Sequence, residues 1–185
     1  MINDVLAEAK EAMHKAIDAL HTDLAALRTG RASTGLVEKL VVEYYGQPTA
    51  LKELALISIP EAQLISIRPY DPGAMKAIEK AIMQSDLGLN PNNDGKIIRL
   101  QIPRLTEERR RDLTKSVAKR VEEARVSVRN TRRSALEDLK TLEKEKLISE
   151  DDMYVGRDDV QKLTDDFIKK IDDMGEAKEK EIMEV

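Results

Sequence analysis

The sequence contains no cysteine and no tryptophan, and only one phenylalanine and four tyrosines among 185 residues. Without cysteine there is no disulfide framework, no thiolate cluster for zinc and no thiol nucleophile. With aromatics at 3%, a core has to be built from Leu, Ile, Val, Ala and Met, which suit helix-on-helix packing better than a β-sandwich. No apolar run reaches the ~20 residues that cross a bilayer. The start, Met1-Ile2-Asn3-Asp4, lacks the basic flank and apolar stretch of a secretory leader, and it is too acidic for an organellar transit peptide. A cytoplasmic protein without a membrane partner is expected. What the chain has in excess is charge: 36% of residues against roughly 25% in an average domain, as long solvated helices require.

The net charge of −4 conceals an uneven distribution. Residues 1–103 carry 11 basic and 13 acidic side chains, residues 104–133 carry 11 against 5, and residues 134–185 carry 9 against 17. A net of +6 is thus concentrated in thirty residues of an acidic protein. Phosphate contacts need a local basic face rather than a basic protein, so nucleic acid remains a candidate partner.

The first 29 residues read as a helix. Asn3 is the expected N-cap with Asp4 in the first turn, and Gly30 is the expected end. Leu6, Met13, Leu20 and Leu27 recur every seven residues, with Ile17 and Leu24 between them, which is a coiled-coil-like seam. The pattern then changes. Leu40–Gly46 is β-branched and aromatic, and the runs 56–60 and 64–69 alternate with period two and are closed by Pro60 and Pro69. Residues 74–85 are amphipathic, 90–95 are turn chemistry, and Ile98, Leu100 and Ile102 alternate up to Pro103. Helical periodicity then resumes: Thr106 is the expected cap of a helix of about 40 residues and ~60 Å, with Leu113, Val117, Val121, Ala124, Val128, Ala135, Leu139 and Leu142 on one face. Ser149 is placed to cap a third helix carrying Val160, Leu163, Phe167, Ile171, Met174 and Ile182.

None of the three helices is stable alone with a single apolar seam, so the expected fold is α+β: an elongated three-helix bundle, residues 1–30 and 105–185, with a small inserted α/β domain at 31–104. The two chain crossings, Gly30-Arg31 and Pro103-Arg104, lie side by side and form a candidate hinge.

Enzyme chemistry finds little support. His14 and His21 are seven apart without the His-Glu-x-x-His pattern of a zinc helix, and read as surface or seam-edge residues. Gly95-Lys96 resembles the end of a phosphate loop, but Asn90 stands where the leading glycine belongs. Glu150-Asp151-Asp152 sits where a helix N-terminus favours negative charge, so capping explains it better than a metal. Tyr44 and Tyr45 are adjacent strand residues pointing opposite ways, of which at most one is buried. Neither a catalytic residue nor a cofactor or metal is expected.

The informative residues are basic. Arg125, Arg129, Arg132 and Arg133 fall on one face of the long helix, and Arg28 and Arg31 flank Gly30. One reading is a solvated face paired with third-helix acids such as Asp165 and Asp166. The other is an RNA-facing strip at a rod's tip, favoured by arginine, which forks onto phosphates and stacks on unpaired bases. The Arg132 side chain is expected to be exposed.

Several stretches resemble bacterial ribosome recycling factors: 28–33 (RTGRAS), 42–46 (VEYYG), 85–91 (SDLGLNP), 105–110 (LTEERR) and 126–133 (VSVRNTRR). They occur in order over essentially the whole chain; Met153-Tyr154-Val155-Gly156 departs from the family's pattern. The resemblance implies a non-enzymatic, L-shaped, tRNA-sized monomer that binds the 50S ribosomal subunit and its rRNA after termination. It implies elongation factor G as partner, whose GTP hydrolysis drives separation of the subunits. It places rRNA contacts on Arg28, Arg31, Arg129, Arg132 and Arg133, foremost Arg132; Arg125 joins them by spacing alone. The alternative is a structural coiled-coil adaptor that binds protein helices and no RNA.

Overall fold

The computed structural model describes residues 1–184. They form two compact units: Met1–Arg28 with Glu107–Glu184, and Thr29–Thr106. The second extends two residues beyond each end of the segment 31–104.

The first unit is three helices, α1 (Ile2–Ala25), α4 (Glu107–Lys144) and α5 (Glu150–Met183). With no Gly or Pro in its 38 residues, α4 runs for ~57 Å at 1.5 Å per residue. Along α1, Ala9 shares a core cluster with Ala135 while Asp23 meets Arg120 at 3.2 Å; along α5, Gly156 faces Leu139 and Gly175 faces Val121, so α4 lies antiparallel to both other helices. The ring of His14 stands edge-on to Phe167 with centroids 4.8 Å apart. This is a seam-edge position, as expected for that histidine.

Burial along α4 follows the expected face from Leu113 to Leu139, with Leu142 only partly covered. Along α1 it follows the expected seam in part, at Met13, Leu20 and Leu24. Ala9, Met13, Ala16, Leu20 and Leu24 are buried, whereas Leu6, Ile17 and Leu27 are half-buried. The alanines Ala9 and Ala16 share that buried face. On the third helix two glycines sit against α4. A Cβ on Gly175 would lie 2.7 Å from a methyl of Val121, and one on Gly156 would lie 3.2 Å from both methyls of Leu139.

The helix ends correct two expectations. Asn3 lies inside α1; the cap position is Met1, without a side-chain bond, and the terminal ammonium of Met1 pairs with Asp4 at 2.7 Å. The helix also stops at Ala25, five residues before Gly30. Gly30 is left-handed (φ +75°) because the chain turns there against Leu105, whose Cγ a Cβ would meet at 2.9 Å. Ser149 does cap α5: its Oγ accepts from the Asp152 N–H at 3.1 Å while the Asp152 carboxylate accepts from the Ser149 N–H at 3.2 Å. The Ser149 hydroxyl, donating to the Asp152 carboxylate at 2.7 Å, and then the Ser149 N–H hold that carboxyl below the usual carboxylate range. The departure from the family pattern at 153–156 leaves α5 unbroken.

The second unit begins with a hairpin, β1 (Val41–Tyr44) and β2 (Gln47–Ala50). It turns at Tyr45 and Gly46 with φ +49° and +77°, the two left-handed positions of a type I′ turn. One turn of helix, α2 (Leu51–Leu54), leads to β3 (Ala55–Glu61), β4 (Leu64–Pro69), α3 (Met75–Gln84), β5 (Pro91–Asn93) and β6 (Ile98–Gln101). These four strands form an antiparallel sheet in the order β3-β4-β6-β5. Ile65 and Ile67 of β4, Ile98 and Leu100 of β6, and Met75, Ile78 and Ile82 of α3 share one core.

Prolines do not end every strand. β3 passes through Pro60 with a register shift between Ser58 and Glu61. The segment expected as a turn at 90–95 contains edge strand β5, starting at Pro91. Both strands are sheet edges, where a missing N–H costs no ladder bond.

Candidate nucleic-acid interface

Because α4 is unbroken, residues 125–133 project from a rigid rod, and the eight steps between them span ~12 Å. They lie about midway along α4, not at its tip, which corrects the expectation of an arginine-lined end. Arg125 and Arg132 edge the groove between α4 and α5; Arg129 and Arg133 lie further out on the same face.

Arg125 is held from two sides. Its Nε and Nη2 both donate to the Asp172 carboxylate, at 2.8 and 2.6 Å, and Nη1 donates to Glu122 at 3.2 Å. The bonds to Asp172 and then Glu122 push the guanidinium pKa further up. Glu122 also accepts from Arg129, and these two arginines, Arg129 first, hold its carboxyl below the usual range. Arg132 has a neutral partner: Nη1 donates to Gln161 Oε1 at 3.1 Å, and Gln161 donates in turn to Asp165 at 2.8 Å. Its Nε is buried without a hydrogen-bond partner. Arg132 is therefore half-buried rather than exposed, its stem laid along the helix pair and its fork held by Gln161. Arg133 is exposed and makes no ion pair among the described residues.

The pairing with third-helix acids thus exists, but through Asp172 and not by direct bonds to Asp165 or Asp166. It is also partial. Two carboxylates, Glu122 and Asp172, serve Arg125 and Arg129, whereas the charges of Arg132 and Arg133 are met by no carboxylate among the described residues. A strip of fixed guanidinium groups with surplus charge is suited to phosphate oxygens, which accept bidentate N–H pairs.

The other expected arginines stand elsewhere. Arg28 follows Asp23, whose partner is Arg120, so it lies toward the beginning of α4 and away from the strip. Arg31 belongs to the second unit. Gly30, Arg31, Pro103 and Arg104 also lie within that unit. There Ala32 N–H donates to Ala62 O at 2.8 Å and Ile102 N–H to Gln63 O at 2.7 Å, while Arg104 Nε donates to the Gln63 side chain at 3.2 Å. The entering and leaving chains are both tied to the β3–β4 turn.

Glu122, Gln161 and Asp172, which hold the strip in place, do not stand out in the sequence. Glu122 is accessible to helical spacing, three residues before Arg125 and seven before Arg129. The two α5 residues meet α4 only through the tertiary fold. Among the described residues no helix is long and apolar enough to cross a membrane.

The model of the family described as ribosome recycling factor matches residues 20–183. A ribosome-recycling factor of Syntrophomonas wolfei is 58% identical over 185 residues, covering 100% of both chains. One of Geobacillus kaustophilus is 56% identical with the same full coverage. A solution structure of the ribosome recycling factor is 47% identical with a TM-score of 0.77, covering 100% of this chain and 98% of the other. The T. thermophilus ribosome recycling factor, in a structure that places it and the E. coli elongation factor G on the E. coli post-termination complex, is 46% identical with a TM-score of 0.66 over 98% of each chain. The sequence stretches, the two-unit architecture and these full-length matches place the chain in the ribosome recycling factor family.

Proposed function

We propose that the chain recycles ribosomes in the cytoplasm after termination, binding the large ribosomal subunit through its rRNA and acting with elongation factor G and GTP. The observation that carries the RNA-facing part is the uncompensated charge of Arg132 and Arg133 beside the anchored Arg125 and Arg129. Arg28 and Arg31 extend the RNA contact beyond the strip. The T. thermophilus relative, bound to a post-termination complex together with elongation factor G, supports the choice of partner.

In this mechanism the bundle seats its strip on the sugar–phosphate backbone, where shape and phosphate contacts suffice. Elongation factor G hydrolyses GTP and pushes on the α/β unit. The hinge lies next to Gly30-Arg31 and Pro103-Arg104, where the chain passes between the units at Arg28-Thr29 and Thr106-Glu107, and the bundle breaks contacts between the subunits. All bond-making chemistry belongs to the GTPase.

Splitting of 70S ribosomes by this chain with elongation factor G and GTP tests the reading. Replacing Arg132 with Ala removes charge-assisted bonds worth ~1.5–3 kcal/mol, so affinity for the large subunit should fall about 10- to 100-fold. The four arginines of the strip predict a log–log salt slope of roughly −3, and Arg28 and Arg31 steepen it to roughly −4. Absence of splitting, with subunit binding indifferent to R132A and to salt, would return the chain to the adaptor alternative. A large loss of thermal stability in R132A would mean that the arginine serves the fold instead.

A further inference from the structure

The α/β unit carries a groove that the recycling mechanism above does not use. It has a volume of about 490 Å³ and lies at the end of the four-stranded sheet, where β3 starts, β4 ends and the β5–β6 turn closes. Leu56 of β3 stands directly across from Arg68 of β4. Tyr70, Pro72 and Met75 line it on the side where the chain runs into α3, and Lys96 lines it from the β5–β6 turn. Leu56 is 55% exposed and Tyr70 67% exposed, so two large apolar side chains at the groove are left uncovered by the unit's own core.

The charge around the groove is one-sided. Among the described residues no carboxylate lines it, and the two nearest in sequence are already engaged. Asp71 accepts from Tyr44 Oη at 2.7 Å and from Gly73 N–H at 2.9 Å. Asp94 accepts from Arg99 at 2.7 Å and from the N–H groups of Lys96 and Ile97 at 3.0 and 2.8 Å. Arg68 and Lys96 are left without an acid partner among the described residues. A groove with apolar walls and two uncompensated cations among its lining residues is complementary to an aliphatic side chain with neighbouring carboxylates. It suits RNA poorly, because four of the five apolar side chains at its walls (Leu56, Pro69, Pro72 and Met75) are aliphatic and offer no aromatic face for a base to stack on.

We propose that this groove docks an acidic segment of a partner protein. An aliphatic side chain of that segment sits between Leu56, Tyr70 and Met75, and its neighbouring carboxylates bond Arg68 and Lys96. The site lies within the α/β unit and stands whether or not the arginine strip binds rRNA.

The test is an amide-shift titration of the full-length chain with a capped peptide of alternating Glu and Leu. Saturable binding is expected, with shifts centred on Leu56, Arg68, Tyr70 and Lys96. The double charge reversal Arg68→Glu with Lys96→Glu should weaken it at least about tenfold, since two charge-assisted bonds are lost. Leu56→Ser should weaken it without changing charge, and a Glu–Ser peptide should not bind there. All three side chains project from the groove surface, and an unchanged circular dichroism spectrum verifies each variant. No shifts at these residues at millimolar peptide would overturn the proposal. So would binding insensitive to the reversals, or an oligouridylate that produces these shifts where the peptide does not.

Discussion

Glu122 shows how one side chain governs the state of the strip. It lies within reach of Arg125 and Arg129 together, and surface ion pairs of this kind contribute little to stability but fix long side chains in place. A phosphate competing for the same forks must displace it. Glu122→Gln removes the competing charge, so rRNA binding should tighten several-fold at low salt, read by filter binding or anisotropy. Looser binding would instead show that Glu122 preorganises the arginines. The pH dependence has a definite sign. Because its folded pKa is depressed, the stabilisation from Glu122 is present above its unfolded pKa and is lost as pH falls through the lower folded value. Over that acidic window the wild type should converge on the glutamine variant.

At the scale of elements, spacing identified which faces would be buried but not how closely they would approach. The leucine heptad of α1 pointed to Leu6 and Leu27 as well as Met13 and Leu20, yet only the latter two are buried, joined by Ala9 and Ala16. Alanine carries almost no signal, because it is equally at home on a solvated helix. Glycine misleads in the opposite direction. By propensity Gly156 and Gly175 each cost about 1 kcal/mol against alanine in an isolated helix. They persist here because Leu139 and Val121 occupy the space a Cβ would take. Gly175→Ala should therefore destabilise the bundle by ~1–3 kcal/mol through overpacking, measured by urea denaturation. A gain in stability, as helix propensity alone predicts, would show that Val121 can swing aside.

For the whole molecule, two separate cores follow from the chain leaving the bundle at Arg28 and re-entering it at Glu107. One is built on strands and α3 around Ile65, Ile67 and Ile98, the other on helices around Phe167 and Ile171. Ile67→Ala should cost ~2–5 kcal/mol, confined to the α/β unit. Hydrogen exchange should then quicken at the amides of β4 and β6 while those around Leu139 keep their protection. Equal loss of protection in both units would mean that they unfold as one.

The sequence alone determined the repeat of apolar positions along three helices, the period-two strands between them, the cap at Ser149 and the concentration of arginines on one face of α4. Each is a local property, set by spacing, propensity and turn chemistry within a few residues. Only the tertiary structure decided that β3 and β5 are edges able to accept Pro60 and Pro91. Only there did Leu139 and Val121 come to fill the space beside Gly156 and Gly175 that a Cβ would take. And only the packing of α5 on α4 brought Asp172 and Gln161 to the arginines, leaving Arg132 and Arg133 with charge that no described carboxylate neutralises. Arg125 and Asp172, 47 residues apart in sequence, meet through a fold that no local pattern encodes.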